Sequence, residues 1–579
     1  MTPRGVQPLA EARAAESPVT AARAMVDALV AQGIDRVFAI PGGPISPIVD
    51  ALLDTGVQLV ACQHETLAVY IATGYARATG RPGVVLVTSG PGVLNAVTGL
   101  AAARLDEAPV VVLVGEVALS VGGRVALQDG SARALDIGHV TATLAKGTWL
   151  VERPGAAASQ TRAALRLAAC LPQGPVVVRV PVDVARSAVR KQSVAPSVSR
   201  AAVAGPPSAE TQEVARTIAK RLVAAHRAVI MLGGRAAVEC LDAVEALARG
   251  LGIGVFTDLE AKGLFPESHP RSLGVFGLGS DGRAEAYLAG GVDCVLVMGA
   301  RLDDTTTANF SPLLRPLDGF VAQLDIAADR LGRSYDVDLA WHGDLRSLLE
   351  HVVTCVRPRL LRPLRHSTPV GDPPKAMPPL RGGGLHDPRH VPAALQRAFP
   401  EHTIYTCDIG NHLLFCAQGM RLDRPRSLHV SMGLGGMGSG IGMGIGLALG
   451  QSHRRVVSIC GDGSMLMVGN ELATCVRYQI PITFAVFNDG QWGMVAHGTE
   501  QVYRRSHDWS TPTWDLVAYA RSLGARTHRI EDELGLQAAA AEEGVGPCVL
   551  EFRTDPGVRV ANPRDATLNF GSAAPKCTL

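Results

Sequence analysis

The sequence predicts an α/β protein of three domains, each a parallel sheet flanked by helices. Three observations lead there. A chain of 579 residues is too long for a single hydrophobic core. Short runs rich in Val, Ile and Leu alternate with segments whose apolar residues recur at helical spacing, as strands joined by crossover helices do. Two stretches interrupt the alternation: residues 190–210, rich in Ser, Ala and Pro, and residues 357–386, rich in Pro and Arg. They read as linkers between three blocks.

Each block supports this in turn. Residues 1–18 are Ala- and Arg-rich without an apolar centre, so a tail is expected there, neither signal peptide nor anchor. The first domain, over 19–189, has strand-like runs at 57–62, 110–115 and 176–181. The central domain, over 211–356, has them at 228–234 and 294–299. The third, over 387–560, has them at 404–408, 455–460, 482–487 and 548–552, and 561–579 reads as a second tail. Residues 432–450 carry no charge and have the length of a membrane span, yet nine of these nineteen residues are glycine. A Gly-rich loop entering a buried helix fits them better.

Composition excludes several functions. With 55 basic against 53 acidic side chains there is no electrostatic case for nucleic acid or an anionic membrane. Aromatic residues are too few for base-stacking platforms. Eleven cysteines form no C-x-x-C pair, and Cys62, Cys294 and Cys460 lie in apolar runs, which predicts reduced, buried thiols in a cytoplasmic protein.

The chemistry concentrates between Gly461 and Asp489. A strand runs into Gly461-Asp462-Gly463-Ser464, a helical segment follows, and a second strand ends in Asn488-Asp489. A crossover of this kind sets the carboxyl ends of two strands side by side, where open parallel sheets bind ligands. Glycines let backbone N–H groups approach a phosphate, and the helix N-terminus favours its charge. Asp462 and Asp489 supply the hard oxygens that Mg²⁺ takes when it bridges protein to diphosphate.

Other motifs stand in a fixed order around this one: Pro41-Gly42-Gly43-Pro44, Cys62-Gln63-His64-Glu65, 88–95, Cys407-Asp408-Ile409-Gly410-Asn411-His412, and Gly433-Leu434-Gly435-Gly436-Met437-Gly438. Together they resemble the thiamine-diphosphate enzymes, specifically the acetolactate synthase group, over nearly the whole chain. The resemblance implies a pyrimidine-binding first domain and a diphosphate-binding third domain. It makes Glu65 the catalytic carboxylate that hydrogen-bonds the pyrimidine ring and promotes loss of the C2 proton. Metal ligands would be Asp462, Asp489 and the carbonyl of Gln491, with Asp489 standing where the family has Asn. Cofactor contacts would come from Gly43, Asn411, His412, Gly435, Gly463, Ser464, Trp492 and Gly493, with Met437 wedged between the two rings.

The resemblance extends to substrate. Gln128, Lys146 and His497 align with positions lining the substrate channel, although the aromatic residue expected after 497 is Gly498 here. The run 299–304 resembles the R-F-D-D segment of the flavin-containing branch, which implies FAD. Thr305-Thr306-Thr307 replaces what normally follows and argues for a purely structural central domain instead.

The function implied is a Mg²⁺-dependent carboligase that decarboxylates a 2-oxo acid, pyruvate by default, and transfers the acyl-anion equivalent to an acceptor. The alternatives are a decarboxylase or C–C lyase without ligation and, from another class, a non-catalytic regulatory subunit. The family's arrangement further implies a homodimer or homotetramer with active sites between subunits, and no nucleic-acid or membrane partner.

Overall fold

The computed structural model describes residues 18–190, 208–236, 238–360, 376–505, 507–542 and 544–560. The two expected tails lie outside them apart from Pro18, as do most of the first expected linker and half of the second. Where the linkers are described, they give way to structure. Ser208 caps the helix Ala209–Ala224 by accepting the Thr211 N–H, and the helix Leu345–Leu360 carries on to the last residue before the break.

Among the described residues, three six-stranded parallel sheets form the framework of the chain. The first runs Gln58–Ala61, Arg36–Ala39, Gly83–Thr88, Val110–Glu116, Val176–Pro181, Gly147–Leu150. The third runs Leu428–His429, Ile404–Cys407, Val456–Gly461, Ile482–Asn488, Cys548–Arg553, Arg526–Arg529. In chain order both are 2-1-3-4-6-5, so the outer domains share one topology. The central sheet is 3-2-1-4-5-6, the order of dinucleotide-binding folds. A two-stranded antiparallel pair, Val19–Thr20 with Ala188–Val189, ties the two ends of the first domain together. The central strands are buried on both faces, which explains their unbroken Val and Ile runs.

The outer domains meet through two helices, Glu65–Thr79 and Ser439–Gly450, packed backbone to backbone. A methyl group added at Gly74 would overlap the Met443 carbonyl, and one at Gly446 would overlap that of Ile71. This close approach is why the uncharged 432–450 stretch is so rich in glycine: its helix is interior to the protein, with 439–448 buried. Among the described residues no helix is long and apolar enough to cross a membrane.

The third domain also seals the open edge of the first sheet. Tyr478 Oη accepts the Ala61 N–H at 2.8 Å and donates to the Leu59 carbonyl at 3.1 Å, while Thr474 Oγ1 donates to the Ala61 carbonyl. Side chains thereby satisfy an edge that would otherwise invite another strand.

Candidate active site

The helix Glu65–Thr79 begins at Glu65 itself, capped by His64, whose side chain accepts the Thr66 N–H. Glu65 is buried, and Asn95 Nδ2 donates to its Oε2 at 3.1 Å. Thr88 is the hub of this cluster. It donates to Gln128 Oε1 at 3.3 Å, a methyl on Gly42 would stand 3.0 Å from its Cβ, and one on Gly92 would meet its Cγ2 and Glu65 Oε1. Gly43 next door faces open space. The fold thus brings Gly43, Glu65 and Gln128 to the carboxyl ends of the first sheet.

Lys146 is elsewhere. Its Nζ donates to the carbonyls of Leu167, Cys170 and Pro172 at 2.7–2.8 Å, which spends all three ammonium protons at the end of the helix Ala157–Ala169. In this arrangement no ammonium proton is left for the substrate contact expected of it.

In the third domain, a cavity of about 260 Å³ opens at the ends of Ile404–Cys407, Val456–Gly461 and Ile482–Asn488. It is lined by Asn411, His412, Gly435, Met437, Asp462, Gly463, Ser464, Asp489, Gln491, Trp492 and Gly493, all eleven of the residues expected there. No residue of the first domain lines it. His497 lies just behind the wall, hydrogen-bonded to Asn411.

The Gly-Asp-Gly segment is tighter than a free turn: the strand ends at Gly461 and a helix starts at Asp462. Asp462 accepts the N–H groups of Gly463 at 2.8 Å and Gly490 at 3.0 Å, which clasps the two strand ends together. Burial raises its carboxyl above the usual range. Asp489 is pushed up to about 7, by burial first and by the charge of Asp462 second.

Three family models match: the N-terminal thiamine pyrophosphate binding domain over residues 19–135, the central domain over 215–352 and the C-terminal thiamine pyrophosphate binding domain over 408–552. Among curated relatives, the acetolactate synthase large subunit of Parasynechococcus marenigrum is 31% identical, covering 94% of this chain and 89% of its own. The isozyme 3 large subunit of Escherichia coli is also 31% identical, covering 89% of this chain and 92% of its own. A probable acetolactate synthase large subunit from Methanocaldococcus jannaschii is 30% identical over 92% of both. The chain belongs to the thiamine pyrophosphate enzymes, in their acetolactate synthase group. It is a thiamine-diphosphate-dependent carboligase.

The cavity suits that cofactor. Buried Asp462 and half-buried Asp489, whose charges repel each other, line the cavity together with Gln491 and offer oxygens that a hard divalent cation would neutralise. His412 is buried with Nε2 unpartnered, and burial lowers its imidazole to about 4, so it faces the cavity neutral. Met437 and Trp492 close over Gly463, where a methyl group would come within 3.4 Å of Met437 Cε and 3.0 Å of the Trp492 ring.

Flavin fits poorly. In the central domain the switch point lies between the strands Ala228–Leu232 and Cys294–Met298, where such folds take a dinucleotide. A methyl on Gly233 would overlap Ala300 Cα, so the two chain segments there touch backbone to backbone. Arg301 donates to Glu260 at 2.8 Å and to Asp106 of the first domain at 3.4 Å, and Arg235 donates to Asp325 at 3.0 Å. These ion pairs cross the carboxyl ends of the central sheet's strands.

Two supporting residues escaped the sequence reading. Asp408, fully buried, accepts Gly438 N–H at 2.8 Å and Gly440 N–H at 2.9 Å, fixing the glycine loop that presents Met437. Its signal was its place at the head of Asp408-Ile409-Gly410-Asn411-His412. Glu471 accepts the Gln63 N–H at 3.1 and 3.2 Å, tying the segment before Glu65 to the third domain. Burial pushes its carboxyl up to about 7. Nothing local in the sequence marks that contact.

Proposed function

We propose that the protein decarboxylates a 2-oxo acid, with pyruvate as the first candidate, and joins the resulting acyl unit to an acceptor at sites shared between two copies of the chain. The carrying observation is the division of the site. Glu65, Gly43 and Gln128 gather in the first domain, while the cavity in the third is lined by the other eleven expected cofactor and metal residues and by none from the first. Both halves are rimmed by exposed apolar side chains: Leu94, Val125 and Leu127 on one, Leu434, Met467, Trp492 and Val495 on the other. Such patches are normally covered by a partner, and a second copy would cover both.

In the joined site, Asp462, Asp489 and the Gln491 carbonyl would hold Mg²⁺ against the diphosphate, with His412 and the helix N-terminus at Asp462 beside the same anion. Thiamine diphosphate supplies, when bound, a carbon nucleophile and an electron sink for decarboxylation. Glu65 would hold a proton at the pyrimidine nitrogen, with Asn95 fixing the carboxylate's orientation. Gln128 and Gly43 would face the reacting end. The apolar rims would exclude water, which keeps a stray proton from ending the reaction at an aldehyde.

The central domain is proposed to work without flavin, since the Arg301–Glu260 and Arg235–Asp325 pairs stand at the switch point where a dinucleotide would enter. A cytoplasmic location is proposed too, in line with the free cysteines among the described residues.

The test is incubation with pyruvate, Mg²⁺ and thiamine diphosphate together with a panel of 2-oxo acids, aldehydes and amines, reading product mass. Larger hydroxyketones support ligation. Release of aldehyde alone would replace it by simple decarboxylation.

A further inference from the structure

His497 was expected to face the substrate, but both its ring nitrogens are engaged within the protein. Nε2 lies 3.0 Å from the Pro556 carbonyl and Nδ1 lies 3.1 Å from Asn411 Nδ2. The carbonyl of Pro556 can only accept, so Nε2 carries the proton. In a neutral ring Nδ1 must then accept, and Asn411 must turn its NH₂ group, not its oxygen, toward it. The orientation of the Asn411 amide is thereby set by a backbone carbonyl 145 residues further on, relayed through one imidazole.

That orientation matters because of where Asn411 sits. It opens the helix Asn411–Gly419 and lines the cavity. A methyl group on Gly493 would stand 2.8 Å from Asn411 Nδ2 and 2.6 Å from Asp489 Oδ2, so the amide nitrogen lies across Gly493 from a proposed metal ligand. An amide with one N–H given to His497 keeps a second N–H for an anion. The flipped amide would present its oxygen to that anion and lose affinity. The Pro556 carbonyl also accepts from Gln491 Nε2 at 2.9 Å, so the same anchor steadies the segment bearing the third proposed metal oxygen.

We infer that His497 is a positioning residue for the cofactor's diphosphate end: with Nε2–H on the Pro556 carbonyl and Nδ1 accepting from Asn411, it holds the remaining N–H of the Asn411 amide toward the anion. It is not an acceptor-binding group. This rests on the reading that places Asn411 at the diphosphate.

A glutamine can replace both bonds, since its amide offers one acceptor and one donor at about the spacing of the two ring nitrogens. A leucine fills similar space and offers neither. The experiment is titration of full-length, cofactor-stripped protein with thiamine diphosphate at saturating Mg²⁺, reading the dissociation constant by calorimetry. His497→Leu should weaken binding about five- to tenfold, as expected for loss of one oriented hydrogen bond, and His497→Gln should remain within about twofold of wild type. In an Asn411→Leu background, His497→Leu should add little, because the two act as one unit. Wild-type affinity in His497→Leu overturns the inference, as does a His497→Gln variant no better than the leucine. A full additional loss in the Asn411→Leu background also overturns it. Should Asn411→Leu itself bind like wild type, the assignment of Asn411 to the diphosphate fails and this inference with it. If His497→Leu unfolds, the glutamine variant and the Asn411→Leu single variant still decide, since the inference requires near-normal binding in the first and weakened binding in the second.

Discussion

Asp489 stands beside Asp462 at the ends of two neighbouring strands, and burial together with that neighbouring charge pushes its carboxyl up to about 7. A protein that binds a hard cation through both groups meets proton competition near neutral pH.

Metal affinity should therefore depend on pH. Mg²⁺ needs Asp489 ionised, so affinity falls as pH drops below about 7 and levels off above it. For stability, the folded-state value lies above the unfolded one. The group's stabilising contribution to metal-free protein is complete below the ordinary carboxylate range and is lost as pH rises through about 7. Mg²⁺ with thiamine diphosphate should then raise Tm more at about pH 8 than at about pH 6, and Asp489→Asn should remove most of the difference. Equal increments in the wild type would contradict the shared site.

Division of the site between chains predicts complementation. Glu65→Gln should bind cofactor yet lose C2-proton exchange, and Asp462→Ala should fail to retain cofactor. Each alone is expected to be inactive. Reassembled from an equal mixture, hybrids contain one intact site each, so about a quarter of wild-type sites should return. No recovery, in a mixture shown to have exchanged chains, would place the whole site within one chain.

Lys146→Met separates a structural role from the expected place in the substrate channel. Three carbonyls lose their donor, so the protein should be destabilised by about 1–3 kcal/mol, seen in denaturant melts, with the KM for the 2-oxo acid unchanged. A raised KM at wild-type stability would return Lys146 to the substrate channel.

Gly498 bears on the acceptor. A methyl group added there meets nothing within 4 Å, on a helix, Gly493–Tyr503, whose first turn lines the cofactor cavity. Without the large aromatic of the resembling enzymes, the wild type should accept partners bulkier than 2-oxobutyrate, and Gly498→Trp should shift preference toward small ones. Competition between 2-oxobutyrate and larger 2-oxo acids or aldehydes measures this. A wild type that prefers 2-oxobutyrate, with a tryptophan variant that behaves identically, would end the idea.

The ion pairs at the switch point of the central domain predict that purified protein carries no flavin absorbance and gains none on incubation with FAD. Stoichiometric FAD in the purified protein would mean that the Arg301–Glu260 and Arg235–Asp325 pairs rearrange.

Much of the site is legible in the sequence because its signals are local. Strands buried on both faces must be apolar throughout, so Val456–Gly461 and Ile482–Asn488 stand out as runs, and the residues proposed to meet a ligand follow them directly. Asp462, Asp489, Asn411, His412 and Met437 are recognisable in this way, and the structure gathers them in one cavity. The same locality exposes the glycines of the Ser439–Gly450 helix, though only its neighbour, the helix Glu65–Thr79, explains them.

What the sequence determined by itself was therefore the set of three parallel α/β domains and the residue types at each strand end, since hydrophobic period and turn chemistry act over a few residues. Which of those residues serve each other was decided only by the tertiary structure. Lys146 and Gln128 look alike as isolated polar residues, yet one caps a helix end with three bonds and the other faces Thr88 beside Glu65. His497 has two ring nitrogens whose roles depend on Asn411 and Pro556, 86 and 59 residues away. Glu471 reaches Gln63 across 408 residues. Hydrogen bonds are directional and short, so a side chain's partner depends on where the whole chain places it, and no local pattern carries that information.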